Sequence, residues 1–332
     1  MFNMKSPFTG KEMLRIFEER TWKFRGEEYS YIHSTWRCED TGELFTDDES
    51  DTAGFVQVTN QYREKYGIPY KDEIIAVRSR YGISAAKMSL ILGLGVNQYR
   101  LYEQGEVPSV SNGRMIRSIM NPSVMLDMVE SSRNELSEAE YGKISNRIRT
   151  AIWDGDNRKI IQHEVGRVFS SPRGAVNGYA PLSLDRLKNV LLYVLEHCSD
   201  VWCTKMNKLL FYIDFLSYRE NGMAVTGFAY RAFDYGPVPE RWDVAYSEFP
   251  EVKQELRSIG DFEGSVLVSD SKADMSLFSD MEKKVVDTIC EKFGRCTSRE
   301  ISRTSHQEQA WIDHHTNHGA ISFRDSFALK AV

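Results

Sequence analysis

The chain has 332 residues, with 42 Lys and Arg against 48 Asp and Glu, and a formal net charge of −6 at pH 7. This length allows two or three domains, and the acidic balance argues against unspecific coating of nucleic acid. No run is apolar enough to span a membrane, residues 1–10 lack a signal-peptide core, and the five cysteines show no disulfide spacing. We therefore expect a cytoplasmic protein without membrane contact.

The first sixty residues predict short antiparallel strands. Apolar side chains recur with a period of two around Leu14, Trp22 and Tyr29, and the turn-like Gly26 lies between them. Residues 39–51 follow with seven carboxylates in thirteen residues. We interpret this run as a solvated loop, because it lacks the ordered spacing of a calcium or magnesium loop.

Two short helices around a glycine turn are predicted next. The first spans residues 84–92, the turn is Gly93-Leu94-Gly95, and the second runs from about residue 96 to 104. The side chains expected to pack the two helices together are Ala85, Met88 and Leu92 on the first, and Val96, Tyr99 and either Leu101 or Tyr102 on the second.

The outward positions of this pair favour duplex DNA as the ligand. We expect Asn97, Gln98 and Arg100 to contact base edges in a major groove, and Ser84, Lys87 and Asn112 to contact phosphates. Residues 71–120 carry seven basic and four acidic side chains, so this stretch is positive within an acidic chain. The alternative is a solvated helical hairpin in a helical domain.

The end of this segment carries a resemblance. Glu103, Gly105, Pro108 and Ser109 match the Glu-x-Gly-x-x-Pro-Ser ending of the helix-turn-helix in Xre-type repressors and MqsA-like antitoxins. The resemblance covers roughly residues 66–130 and implies a dimeric operator-binding module.

MqsA-like antitoxins also carry an N-terminal zinc site with two Cys-x-x-Cys pairs. Alignment on the flanking residues places Ser6 and Thr9 at the first pair and Cys38 and Thr41 at the second. One thiolate cannot hold a structural zinc, so the resemblance implies a metal-free, degenerate zinc-ribbon-like domain. Its expected aromatic core is Phe8, Phe17, Trp22, Phe24, Tyr31, Trp36 and Phe45. The alternative is that His33 joins Cys38 in a remodelled metal site.

The chain then divides at a predicted linker. Ser137 and Glu140 form a capping box that opens a helix to about residue 153. Residues 170–181 are rich in Pro, Gly and Ser and lack apolar periodicity, which is typical of a linker. The expected domains are therefore residues 1–62, 63–169 and 182–332, with 170–181 as the linker.

The last domain is predicted to be mostly helical with a small β element. Apolar periodicity marks helices near residues 184–195 and 206–216, the second capped by Thr204 and stopped at Asn221-Gly222. Alternation predicts a strand at residues 228–232, and two prolines with a glycine predict a rigid loop at 234–239. The remaining capping boxes are Ser279 with Glu282, Thr297 with Glu300, and Ser305 with Glu308.

Four segments of this domain carry the strongest resemblance. Residues 205–216, 226–227, 235–239 and 305–311 resemble, in order, the motifs of the Panacea domain of SocA-like and phage-associated GepA-like antitoxins. The resemblance covers about residues 183–318 and implies direct binding of a toxin encoded beside the antitoxin. The fold class expected for the whole chain is α+β and mostly helical.

The predicted toxin-binding surface is the loop and the helix after it, with Tyr235, Val238, Arg241 and Trp242. Aromatic and Arg side chains on a rigid loop are enriched at interface hot spots. The alternative is that Pro237, Pro239 and Trp242 serve only to fold the domain.

No residues are assigned to catalysis, a metal or a cofactor. A nucleophile needs a base and an orienting group, and neither Cys203, Asp214 nor His306 is selected as part of such a set. We expect His306 to pack under Trp311 and Asp214 to be buried with Lys205 or Lys208. His314, His315 and His318 are expected to form a solvated tail, with a helical metal site as the alternative.

The sequence thus predicts an antitoxin of a type II toxin–antitoxin system that also represses its own operon, with a cognate toxin and operator DNA as partners and a homodimer as its state. The alternative is a phage or mobile-element regulator or proteolytic adaptor without a toxin. A hydrolase with a DNA-targeting head is a third, weaker alternative.

Overall fold

The computed structural model describes residues 4–153, 155–259 and 262–332. The fold is α+β and mostly helical, as predicted. The strands are β1 (Leu14–Phe24), β2 (Glu27–Arg37), β3 (Leu44–Phe45), β4 (Tyr230–Phe233), β5 (Gly236–Pro239), β6 (Lys253–Ile259), β7 (Phe262–Val268) and β8 (Ala320–Ile321). The helices of the first half are α1 (Asp48–Tyr66), α2 (Lys71–Tyr81), α3 (Ala85–Ile91), α4 (Gln98–Gln104), α5 (Val110–Ser118), α6 (Pro122–Ser131) and α7 (Glu138–Trp153). Those of the second half are α8 (Gly155–Val168), α9 (Leu184–His197), α10 (Cys203–Asn221), α11 (Trp242–Glu248), α12 (Asp280–Phe293), α13 (Ser298–Ser305) and α14 (Gln309–Ile312).

Contacts along the chain define two compact units. One consists of Met1–Val58 with Glu164–Val332, and the other of Thr59–His163. The domain boundaries expected from the sequence stay a prediction. Among the described residues, no helix is both long and apolar enough to cross a membrane.

The N-terminal strands form a long hairpin. β1 and β2 pair antiparallel in register from Leu14 with Arg37 to Phe24 with Glu27. Arg25 and Gly26 join them with φ angles of 51° and 89°, the two left-handed residues of a type I′ turn. The predicted strands are confirmed, and each extends to 11 residues.

The acidic run is only partly the loop that its composition predicted. Asp48, Glu49 and Asp51 lie in the first turn of α1. Carboxylates are favourable there because they face the positive end of the helix dipole and its unpaired amides. The cluster of carboxylates therefore indicates the start of a helix.

The unit of residues 59–163 is built around the core of α2 to α7. Tyr99 and Tyr81 are fully buried, and their hydroxyls donate to Ile74 O (2.9 Å) and Ile119 O (2.7 Å). The two predicted short helices are present as α3 and α4. The prediction that Val96 packs between them is wrong, because α4 begins only at Gln98 and Val96 in the turn is 83% exposed.

Helix α10 is the centre of the other unit. Every residue from Cys203 to Glu220 except Thr204 is buried, with α9, α12, α13 and β5 around it. The helix ends at Gly222 with φ 68°, as predicted, but it begins one residue before Thr204, with Trp202 at the N-cap position. The predicted Thr204 cap is therefore wrong.

The segment expected to be a linker is ordered and packed. Tyr179 and Ala180 are buried, and the Asn177 amide donates to Pro172 O at 2.9 Å. A Cβ on Gly178 would lie 2.7 Å from the Ala224 Cβ. The turn-forming residues therefore belong to a compact, packed segment of the fold.

Three of the four predicted capping boxes are present, at Ser137, Ser279 and Thr297. The fourth is wrong. Ser305 is the last residue of α13 and donates to Ser302 O at 2.8 Å, while the Glu308 carboxylate accepts from the amides of residues 330 and 331.

Candidate functional site

A cavity of about 430 Å³ lies where the start of α10 meets the β4–β5 hairpin and the start of α11. It is lined by Cys203, Thr204, Asn207, Lys208, Phe233, Asp234, Tyr235, Val238 and Trp242. The structure thus brings together Tyr235, Val238 and Trp242, three of the four residues predicted to contact a toxin.

The prolines of the predicted loop lie in a strand. β5 pairs with β4, placing Pro237 opposite Ala232 and Pro239 opposite Tyr230. The prediction of a loop barred from regular structure is wrong because β5 is the edge of the three-stranded sheet β5-β4-β8. An edge strand tolerates proline, since the missing N–H can lie on the unpaired side.

The hairpin holds Tyr235 at its tip. Asp234 and Tyr235 connect the paired residues Phe233 and Gly236, and Tyr235 is 75% exposed. Trp242 is half-buried, with its ring 5.5 Å from that of Tyr246. The rim of the cavity therefore has one exposed and one half-buried aromatic side chain.

Arg241 does not line the cavity. Its guanidinium donates to Gly166 O (2.7 Å), Arg167 O (3.2 Å) and Phe169 O (3.2 Å), at the end of α8. These carbonyls have no partner further along the helix, so Arg241 caps them. Its predicted contact with a toxin stays a prediction.

Lys208 forms the inner wall of the cavity. Its exposed fraction is 0%, and its Nζ has no hydrogen-bond partner among the described residues. Burial lowers the pKa of this amine to about 7. Sequence reasoning gave Lys208 no role beyond a possible pairing with Asp214. The available signal was a lysine on a helix that is apolar on nearly all sides.

The expected pairing of Asp214 with Lys205 or Lys208 is wrong. Asp214 accepts hydrogen bonds from the amides of Val225 and Thr226, both at 2.8 Å, from the Tyr230 hydroxyl at 2.6 Å and from the Thr226 hydroxyl. Burial raises the pKa of this carboxyl. Lys205 instead donates to the carbonyls of Ser199 (2.6 Å) and Gly294 (2.8 Å).

An aromatic stack contacts the β4–β5 hairpin, part of which lines the cavity. The Trp311 ring stacks on His306 and on His315, with centroids 4.2 Å apart in each pair, and its Nε1 donates to Phe233 O at 2.8 Å. The predicted packing of His306 with Trp311 is present. Nε2 of His306 is buried and has no partner among the described residues. Burial, with the nearby Lys208 charge, lowers the pKa of His306.

The other histidines of the tail have separate partners. His314 Nε2 lies 3.3 Å from Asp325 Oδ2, and His318 Nε2 lies 3.0 Å from Asp234 Oδ1. His315 Nδ1 lies 2.9 Å from Ile312 O. Within the part of the chain that the structure describes, no group of three metal-ligating side chains occurs.

The residues predicted to bind DNA fall into two groups. Asn97 and Arg100 are exposed at the start of α4, as a base-reading role requires. Gln98 donates to Glu106 (3.0 Å), Asn112 donates to the Tyr102 hydroxyl (2.8 Å), and Lys87 forms an ion pair with Glu140 (3.0 Å). Ser84 caps α3 by accepting from the Lys87 amide.

The four positions aligned with zinc ligands come together on two matching turns. Gly10 N donates to Ser6 O (2.9 Å), and Gly42 N donates to Cys38 O (2.8 Å). Thr9 Oγ1 lies 4.0 Å from Cys38 Sγ. Hydrogen bonds from the hydroxyls of Ser6 and Thr41 lower the pKa of Cys38 to about 7. The site thus has one thiol and three hydroxyls, a poor donor set for zinc.

His33, the alternative partner of Cys38, has other neighbours. Its Nε2 lies 3.4 Å from Thr46 Oγ1 and 3.8 Å from Asp51 Oδ1. Burial lowers the pKa of His33.

Comparison with known families defines the class of domain around the cavity. Residues 206–312 match the family described as antitoxin SocA-like, Panacea domain. This range contains Lys208, Tyr235, Trp242 and His306, and it confirms the predicted Panacea domain for those residues. It supports an antitoxin-type role. No curated protein matches the chain, and no solved structure does.

Proposed function

We propose that the chain is a cytoplasmic antitoxin of a type II toxin–antitoxin system that binds its toxin through the Panacea domain. The observation that carries the proposal is the cavity, which is lined mostly by matched residues and has the exposed Tyr235 and the half-buried Trp242 at its rim. Aromatic anchors held by a paired hairpin and by the start of a helix lose little conformational entropy on binding. The family match favours this regulatory role over a catalytic one.

The test uses the full-length protein and the product of the adjacent gene. Tyr235→Ala removes a side chain that is 75% exposed, so the fold should remain intact. We expect the dissociation constant to rise at least about tenfold, as at an interface hot spot, and growth rescue to weaken. Trp153→Ala, at an 89% exposed position on α7, is the matched control and should bind as the wild type does. Unchanged binding by Tyr235→Ala would remove the cavity rim from the interface, and a harmless neighbour would favour a regulator or proteolytic adaptor.

We further propose that α3 and α4 form a helix-turn-helix with which a homodimer represses its operon. The exposed Asn97 and Arg100 on an otherwise packed helix pair support this role. The double substitution Asn97→Ala and Arg100→Ala should abolish binding to promoter DNA, since each base contact contributes roughly 1–3 kcal/mol. Toxin rescue should persist.

Arg149→Ala removes a half-exposed guanidinium from α7 of the same unit and serves as the control for net charge. Anisotropy with promoter DNA and sedimentation of the complex measure binding and stoichiometry. Loss of rescue by a folded Asn97→Ala, Arg100→Ala variant would contradict separate surfaces for DNA and toxin. A monomer on DNA would contradict the dimer.

A further inference from the structure

The two buried lysines of helix α10 differ in their hydrogen bonding. Both Lys205 and Lys208 have an exposed fraction of 0%. Lys205 donates to two carbonyls, whereas Lys208 lines the cavity and its buried Nζ has no hydrogen-bond partner among the described residues. An ammonium without a partner is costly to bury, so this position is poorly explained by folding alone.

The surroundings leave Lys208 without a counter-charge. The cavity's own carboxylate, Asp234, is 80% exposed at its side chain and pairs with His318. Asp214, further along α10, is occupied by four donors. The charge of Lys208 helps to lower the pKa of His306, whose own Nε2 is unpaired among the described residues.

Two features of the cavity make it suitable for binding a small anion. A Cβ at Gly236 would lie 2.7 Å from Lys208 Cε and 3.2 Å from Nζ, so only glycine leaves the amine its space. Asn207 Oδ1 accepts from the Tyr246 hydroxyl at 2.6 Å, which leaves the amide nitrogen as the donor available to a ligand. One ammonium and one amide donor suit the two oxygens of a carboxylate better than the larger charge of a phosphate.

We propose that this cavity receives an aspartate or glutamate side chain of the toxin, with Lys208 as its counter-charge and with Tyr235 and Trp242 packed around the chain that presents it. The inference rests on the proposed toxin binding and names the chemistry of the contact.

Such a contact makes affinity depend on pH. Burial lowers the pKa of Lys208 to about 7, and a bound carboxylate raises it again, so binding takes up a proton above pH 7. Affinity should therefore fall about tenfold per pH unit above 7. The other titratable groups of the cavity lining are Asp234, Tyr235 and Cys203, and His306 interacts electrostatically with Lys208. The pKa of His306 is lowered and that of Cys203 is raised to about 11, so neither accounts for a change between pH 7 and 9.

The first test is Lys208→Met in the full-length protein, with the adjacent-gene product as probe. Methionine fills the same space without the buried charge, so the melting temperature should not fall. We expect binding at pH 6.5 to weaken at least about tenfold, and the pH dependence between 7 and 9 to disappear. Lys272→Met, at a side chain that is 83% exposed, is the matched control and should retain both.

The second test needs no variant of Lys208. Calorimetry of the wild-type complex at pH 8 in two buffers of different ionisation enthalpy should report uptake of about one proton. Substituting each Asp and Glu of the toxin by its amide should identify one position whose effect does not add to that of Lys208→Met.

The outcomes separate the two proposals. If Tyr235→Ala weakens binding while Lys208→Met leaves the affinity and the pH profile unchanged, the carboxylate contact is overturned and toxin binding stands. Absence of proton uptake, or additive effects for every acidic toxin residue, would overturn it as well. If wild-type protein does not bind the probe at all, the proposed function itself fails.

Discussion

At the scale of single residues, two similar N-terminal turns hold the four positions that the resemblance aligns with zinc ligands. Ser6 and Cys38 begin two turns that each close on a glycine with left-handed φ, 68° at Gly10 and 75° at Gly42. Neutral hydroxyls bind zinc far more weakly than thiolates, so three of the four positions contribute hydrogen bonds in place of ligands. The turns hold their shape through these bonds and through the packing of Cys38 against Met13 and Trp36.

The residue types at these four positions predict whether the protein binds zinc. Wild-type protein should contain no stoichiometric zinc, whereas the triple substitution Ser6→Cys, Thr9→Cys and Thr41→Cys should bind one zinc per chain, because four thiolates then converge. Elemental analysis after dialysis measures both. The same triple variant with Cys38→Ser is the control and should bind zinc more weakly. One zinc per chain in the wild type would contradict our interpretation of these turns.

Three of the four predicted capping boxes are present, whereas the predicted partners of the buried Asp214 are wrong. The caps at Ser137, Ser279 and Thr297 depend on a residue three positions away, so the sequence displays both members. The partners of Asp214 begin eleven residues later, in a segment whose approach depends on the packing of α10. A buried carboxylate beside lysines in sequence therefore suggested the wrong pairing.

At the scale of elements, the β4–β5 hairpin shows how composition misleads. Two prolines and a glycine disfavour a central strand, yet β5 lies at a sheet edge, where one side of the backbone needs no partner. Edge position is a property of the whole sheet and cannot be obtained from four residues. Gly236 has a further role, because its φ of 107° and its contact with Lys208 both exclude a side chain.

Gly236→Ala should therefore destabilise the protein by roughly 2–3 kcal/mol, through backbone strain together with overpacking. The added Cβ would lie 2.6 Å from Ser305 Oγ as well as close to Lys208. Gly105→Ala separates the two causes, because Gly105 has φ 118° and open space around it. The control substitution should lower the free energy of unfolding by only about 1 kcal/mol, as measured by chemical denaturation. Equal losses for the two variants would show that strain alone acts at Gly236.

At the scale of the whole molecule, the N-terminal hairpin and the Panacea residues share one compact unit. Arg15 on β1 donates to both carboxylate oxygens of Glu220 at the end of α10, at 2.8 and 2.7 Å. The Glu220 side chain is only 4% exposed, so the ion pair is largely shielded from solvent. The sequence assigned the two segments to separate domains, residues 1–62 and 182–332, and those boundaries stay a prediction.

Arg15→Ala should lower the free energy of unfolding by roughly 2 kcal/mol or more, since it leaves a buried carboxylate with Arg219 as its remaining cation. Lys11→Ala breaks an exposed ion pair of the same sheet region, with Asp40, and should leave the denaturation midpoint unchanged. Denaturant unfolding of the full chain compares them. Equal midpoints for Arg15→Ala and the wild type would mean that the hairpin does not stabilise the Panacea residues.

The stack of His306, Trp311 and His315 gives the molecule a built-in optical reporter. An imidazolium held 4.2 Å from an indole quenches its fluorescence, whereas a neutral imidazole does so far less. Because the pKa of His306 is lowered, the emission of Trp311 should be bright at neutral pH and dim on acidification. Because the chain has six tryptophans, the part of this change that disappears in Trp311→Phe reports the protonation of the stacked imidazoles.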